Sequence, residues 1–281
     1  MSSNPKLDLG LARIAHLNWE YEMESATKGS SISLEAQSHE DCELGRWLNG
    51  PAQRNYGALE SIQPLLVAHK AFHQAASRLA IACNDGGEKN ISQELETVRR
   101  LSRDIIFHLT EMELEALEKS HITTSNARQP RSLFQRLFAG PYHALPEDKG
   151  TLKVSQARLI HLRWERNLME AFRHRGKDIT LESSEICALG VWINATGVKR
   201  YSDLPEIAKL DETHKAFHTH AKNVISALRN KQDKRAEASY KQTREFSRRV
   251  IYLLSAIEYK LLDSDNVQST DSFLDLNLSH Q

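Results

Sequence analysis

The stretch His69-Lys70-Ala71-Phe72-His73 returns as His214-Lys215-Ala216-Phe217-His218, 145 positions later (214 − 69). Residues four apart on a helix share a face, so each stretch projects two imidazoles from one side. Working outward at the same spacing, His16, Trp19, Cys42, Gly45, Trp47 and Tyr56 recur as His161, Trp164, Cys187, Gly190, Trp192 and Tyr201. Much of the sequence between them has diverged. Glu43 and Arg46 stand where the second copy has Ala188 and Val191, and Asn49-Gly50-Pro51 stands where it has Asn194-Ala195-Thr196. A fixed period inside one chain marks one structural unit built twice. One Cys and three His per copy make a donor set that suits zinc.

The apolar pattern around these residues is helical, and alternating β-branched runs are absent. A first helix is expected over about 8–28, with His16, Trp19, Met23 and Ala26 on one face; His161, Trp164, Leu168 and Ala171 repeat it. A short helix carries Cys42 near its start, with Ser38 and Asp41 as a weak capping signal and Gly50-Pro51 as its stop. A third helix is expected over about 59–83, with Pro64 at a kink or a start. A fourth is expected over about 91–121, and over about 234–262 in the second copy. The fold class is therefore all-α, two tandem four-helix bundles over 7–122 and 151–263, each with a possible extra short helix. A linker is expected at 123–150, broken by Pro130, Gly140-Pro141 and Pro146. It holds a small apolar cluster, Leu133, Phe134, Leu137 and Phe138, read as a locally packing segment with partner or membrane docking as the alternative. The polar, acidic tail 264–281 is expected to be disordered, with a partner-binding peptide as a lesser alternative.

The metal reading follows from residue types. His69 and His73 supply two ligands with a preset bite, His16 can reach them across the bundle, and Cys42 completes a tetrahedral set. His161, Cys187, His214 and His218 do the same in the second copy. Thiolate with imidazole favours zinc over calcium or magnesium. A di-iron bundle would want Glu-x-x-His pairs facing inward, and no such set recurs in both copies. Four protein ligands would close the site, and no His-Glu-x-x-His motif recurs, which argues against a zinc hydrolase. Gly45 and Gly190 sit within a helix at a cost of about 1 kcal/mol relative to Ala, a cost that close approach of another helix or of the metal cluster would explain. The remaining histidines and Cys83 have no counterpart in the repeat and are assigned no function.

Composition narrows the alternatives. Lys and Arg number 37 and Asp and Glu number 37, so there is no basic surplus of the kind nucleic-acid binders carry. No run of about 18 apolar residues suggests a membrane span. The start, Met1 to Lys6, lacks the apolar stretch of a signal peptide. Three cysteines, two of them equivalent, do not make a disulfide framework, and the expected compartment is the reducing cytoplasm.

Together, His-x-x-Trp, Cys-x-Leu-Gly-x-Trp-(Leu/Ile) and His-x-x-x-His with Phe before the last His resemble the CZB domain, the chemoreceptor zinc-binding domain of bacteria. The motifs are His16–Trp19, Cys42–Leu48 and His69–His73, then His161–Trp164, Cys187–Ile193 and His214–His218. The resemblance implies a four-helix fold with one zinc per copy, two per chain, held by His16, Cys42, His69 and His73 and by His161, Cys187, His214 and His218. It implies regulation of an output partner such as a chemoreceptor or a diguanylate cyclase, with zinc level or oxidation of the zinc-bound cysteine by hypochlorous acid as the signal. It also implies homodimers. This chain has two copies and neither a cyclase signature nor a receptor coiled coil, so the expectation is that the copies pair with each other as an intramolecular pseudo-dimer and signal to an unknown partner. A zinc-stapled scaffold without sensing is the alternative.

Overall fold

The computed structural model describes residues 5–27, 38–85, 88–124, 154–174 and 181–278. Regular structure among them is entirely helical. The chain divides into two compact units, Met1–Leu145 and Pro146–Gln281, a boundary inside the expected linker. The linker's apolar cluster at 133–138 lies outside the described residues.

In the first unit α1 spans Pro5–Thr27, α2 Glu43–Trp47, α3 Gln53–Tyr56, α4 Ile62–Asp85 and α5 Glu88–Thr124. In the second, α6 spans Val154–Arg173, α7 Ala188–Trp192, α8 Val198–Arg200, α9 Pro205–Arg229 and α10 Asp233–Leu278. Each unit is thus three long helices and one short segmented one. The last helix packs on both others, α5 on α4 and α1, and α10 on α9 and α6. Pro64 falls in the first turn of α4 and Pro205 opens α9. Neither proline costs a helical hydrogen bond there, because the first N–H groups of a helix have no partner within it.

Three local expectations are corrected. Gly50-Pro51 does not stop the short helix: the chain passes through one π turn, Leu48–Ala52, into α3. The second copy makes the same turn over Ile193–Gly197 without a proline, so Pro51 is tolerated there and does not cause it. Ser38 does not cap α2; its carbonyl accepts from the N–H groups of Asp41 and Cys42 in the preceding turn. In the last helix of the second copy the backbone stays helical to Leu278, where the sequence suggested a disordered tail from Ser264.

The core explains where the site sits. On α6 the buried face reads Ala157, His161, Glu165, Leu168; on α9 it reads Leu210, His214, His218, Ala221. On α10, Val250 and Leu254 lie to one side of Ser247 and Thr243, and Ala236 to the other. The apolar residues form two separate clusters, one with Ala157, Leu210 and Val250 and one with Leu168, Ala221 and Ala236. A buried polar layer therefore lies at mid-height between two apolar layers. The first unit has the same rows, with Ala12, His16, Glu20 and Met23 on α1 and Leu65, His69, His73 and Ala76 on α4. Buried polar groups are costly unless they are paired.

Candidate metal centre

The cysteines owe their position to a helix start. Cys42 is the N-cap of α2, with extended backbone (φ −67, ψ 161), and its sulfur accepts from Gly45 N–H at 3.2 Å. Cys187 is the N-cap of α7 (φ −66, ψ 154), with the Gly190 N–H at 3.3 Å. The following glycine is needed for space. A Cβ on Gly45 would lie 2.0 Å from the carbonyl oxygen of His39, and one on Gly190 would lie 1.7 Å from that of Ser184. The closest approach in both copies comes from the loop just before the cysteine; at Gly190 the His214 ring of the trio follows, at 3.4 Å.

Folding carries Cys42 to His69 and His73, and Cys187 to His214 and His218. In each trio the ligand-type atoms lie within 4.8 Å of one another. Cys42 Sγ is 3.3 Å from His69 Nε2, Cys187 Sγ is 3.3 Å from His214 Nε2, and His214 Nε2 is 3.1 Å from His218 Nε2. Tetrahedral zinc with ordinary bond lengths would separate two nitrogens by about 3.3 Å and a sulfur from a nitrogen by about 3.6 Å. Donor types and spacings both fit a zinc-sized ion. His218 Nδ1 faces the carbonyl oxygen of Glu182 at 3.1 Å, which leaves Nε2 to the cluster. Trp19 lies against His73 and Phe72, and Trp164 against His218 and Phe217, covering the histidines.

His16 and His161 lie beside these trios without joining the group of closely spaced donors. Each is buried, with its ring against a phenylalanine of the His pair's helix, Phe72 or Phe217. His16 Nε2 is 3.0 Å from Ser102 Oγ on α5, and His161 Nε2 is 3.1 Å from Ser247 Oγ on α10. Each serine hydroxyl in turn donates to a buried glutamate, Ser102 to Glu20 and Ser247 to Glu165.

Burial, first, and neighbouring imidazoles, second, hold His16 and His69 down at about 3. His214 is held at about 3, and His161 well below the usual value, for the same reasons. These rings are neutral at neutral pH, the form that binds metal. Burial raises the Cys42 thiol, opposed by the N–H groups of Gly45 and Leu44 and by the charge of Arg46. Burial takes Cys187 to about 11, with Glu182 and Glu185 adding to the rise.

Sequence reasoning missed the buried polar partners. Glu20, Ser102, Arg13 and Glu113 have Glu165, Ser247, Arg158 and Glu258 at the repeat spacing. Arg13 pairs with Glu113 at 2.8 Å, and Arg158 pairs with Glu258. The spacing that exposed the histidines would have found all of them. His108 pairs with Glu111 and His220 stacks on Phe246, consistent with packing roles. Cys83 is half-buried against the first core.

The family model of the chemoreceptor zinc-binding domain, CZB, matches residues 16–80 and again 161–225. Each repeat thus carries one CZB-domain match, and every sequence-predicted ligand lies inside the two matches. No curated protein and no solved structure matches it. Among the described residues no helix is long and apolar enough to cross a membrane.

Proposed function

We propose that this chain is a cytoplasmic zinc-dependent sensor or adaptor that passes zinc level or thiol oxidation to a partner protein. Two ions would bind per chain, one at His16, Cys42, His69 and His73 and one at His161, Cys187, His214 and His218. The observation that carries the reading is the Cys-His-His trio built twice, with sulfur and imidazole nitrogen 3.3 Å apart in both copies. Bound there, zinc would hold the sulfur as a thiolate. His16 and His161 would bind through Nδ1, because Nε2 is engaged by serine. Cys42 and Cys187 are the groups an oxidant would change. A thiolate attacked by hypochlorous acid takes up its oxygen and proton as a sulfenic acid while chloride leaves, and the oxidised sulfur is a poorer ligand. The short Cys-bearing helices α2 and α7 are the natural moving parts. Pairing of the two copies within one chain, in place of a homodimer, belongs to the same reading. The reading assigns the site no catalysis.

Metal content by elemental analysis tests it, on wild type and on Cys42→Ala/Cys187→Ala. About two zinc ions per chain, reduced in the variant and released by hypochlorite, are expected. Unchanged zinc after oxidant would sink the redox arm. The mid-core burial of the trios favours a second reading, a zinc-stapled scaffold. A chelator that unfolds the whole chain, measured by circular dichroism, would support the scaffold; local change with helicity kept would support the sensor.

A further inference from the structure

We propose that Ser102 with Glu20, and Ser247 with Glu165, are positioning residues that fix the tautomer and orientation of His16 and His161 for the metal. This rests on the zinc reading above and says what makes the fourth ligand competent.

The argument is an accounting of protons. A serine hydroxyl has one proton. In both copies that proton goes to a buried carboxylate, Ser102 to Glu20 and Ser247 to Glu165. The serine oxygen can then only accept from the imidazole 3.0 Å away in one copy and 3.1 Å away in the other. Nε2 must carry the ring proton, and Nδ1 is left with a bare lone pair. The carboxylate sets the serine, the serine sets the histidine, and the histidine offers one chosen nitrogen. A ligating imidazole held through its other nitrogen has its ring angle fixed as well as its proton.

Three further observations support a role toward the metal. All six groups are buried, so the hydrogen bonds are not shared with bulk water. The serine comes from a distant helix, Ser102 on α5 against His16 and Glu20 one turn apart on α1, so the arrangement is not a by-product of geometry within one helix. The motif is present twice at the repeat spacing, although Ser102 and Ser247 lie beyond the family matches, which end at residues 80 and 225. The second copy anchors the carboxylate further, with Arg244 Nε 3.5 Å from Glu165. In the first copy the equivalent Arg99 pairs instead with Glu24, whose counterpart is Met169.

The test uses the full chain in a Cys187→Ala background, so that only the first site loads, and measures zinc affinity by competition with a chromophoric chelator. Ser102→Ala should weaken zinc by about 10- to 100-fold. Ser102→Thr, which keeps the hydroxyl, should restore it, and Glu20→Gln should show a smaller loss. Thr110→Ala, which removes another buried α5 hydroxyl bonded only to the Ile106 carbonyl oxygen, should leave affinity unchanged. Nitrogen NMR of the metal-free protein should find His16 as the Nε2–H tautomer, lost in Ser102→Ala. Wild-type affinity in Ser102→Ala, an Nδ1–H tautomer in wild type, or equal loss in Thr110→Ala would each overturn the proposal. If the background protein itself takes up no zinc, the metal reading fails first and this inference goes with it.

Discussion

The two trios differ little in geometry and a good deal in their surroundings. The Cys–His distances are the same, 3.3 Å, and both cysteines cap a five-residue helix and accept from the glycine three residues on. Around Cys42, however, the charge of Arg46 favours the thiolate and outweighs the opposing Asp41, whereas around Cys187 Glu182 and Glu185 both disfavour it with no basic group against them. Along the chain, Glu43 and Arg46 against Ala188 and Val191 set a charged stretch against an apolar one. The structure replaces the apolar setting with an acidic one, supplied by the loop before Cys187. Geometry common to both copies points to what metal binding needs. Divergent charge points to what can be tuned.

Removing one sulfur at a time should have the largest effect. Cys42→Ala and Cys187→Ala should each lower metal content from about two to about one per chain. Loss of both ions in either variant would mean that the copies do not bind independently. The next largest effect is steric. Gly45→Ala and Gly190→Ala push a methyl into the carbonyl of His39 or Ser184, and each should destabilise its own unit by about 1–3 kcal/mol. Thermal melting with the metal removed would measure this. A neutral result would show that the loop yields easily.

Acid should act on both copies together. Buried His16, His69 and His214 titrate near 3 in the folded protein against about 6.5 unfolded, so below 6.5 the unfolded chain takes up protons that the folded chain refuses. Stability of the metal-free protein is then lost as pH falls from about 6.5 toward 3, by about 1 kcal/mol per histidine for each pH unit. Denaturant titrations at pH 7.5 and 5.5 would check the sign; equal stability at the two would contradict it.

Thiol reactivity should separate the copies. In metal-free protein near pH 8, Cys42 should alkylate several-fold faster than Cys187, read by peptide mass spectrometry, because Arg46 favours the thiolate at Cys42 while Glu182 and Glu185 oppose it at Cys187. Arg46→Ala should narrow the gap. Equal rates would remove the charge difference as a source of function. The smallest effect concerns the α9–α10 turn. Lys231 has φ 57, a left-handed conformation, and the first copy has Gly86 at the equivalent place. Lys231→Gly should stabilise the second unit by at most about 1 kcal/mol, seen as a small rise in Tm.

Much of this was open to reading along the chain. Ligand types at i and i+4, a period of 145 (161 − 16) and helical apolar spacing gave the bundles, the two trios and the covering tryptophans. These are signals of residue type and spacing, and an α-helix turns spacing directly into a face. Serine, glutamate and arginine are common surface residues, so Ser102, Glu20 and Arg13 gave no such signal one at a time. Their meaning depends on which helix they meet. The same holds for Gly45, whose neighbour is a carbonyl of the loop before it, and for the π turns after Trp47 and Trp192. Residue type and spacing along the chain carry the helices, the repeat and the candidate donors. The tertiary structure alone decided which carbonyl crowds the glycine, which charge faces each sulfur and which hydroxyl holds each outlying histidine, because a hydrogen bond between helices depends on distance and direction that no spacing along one chain contains.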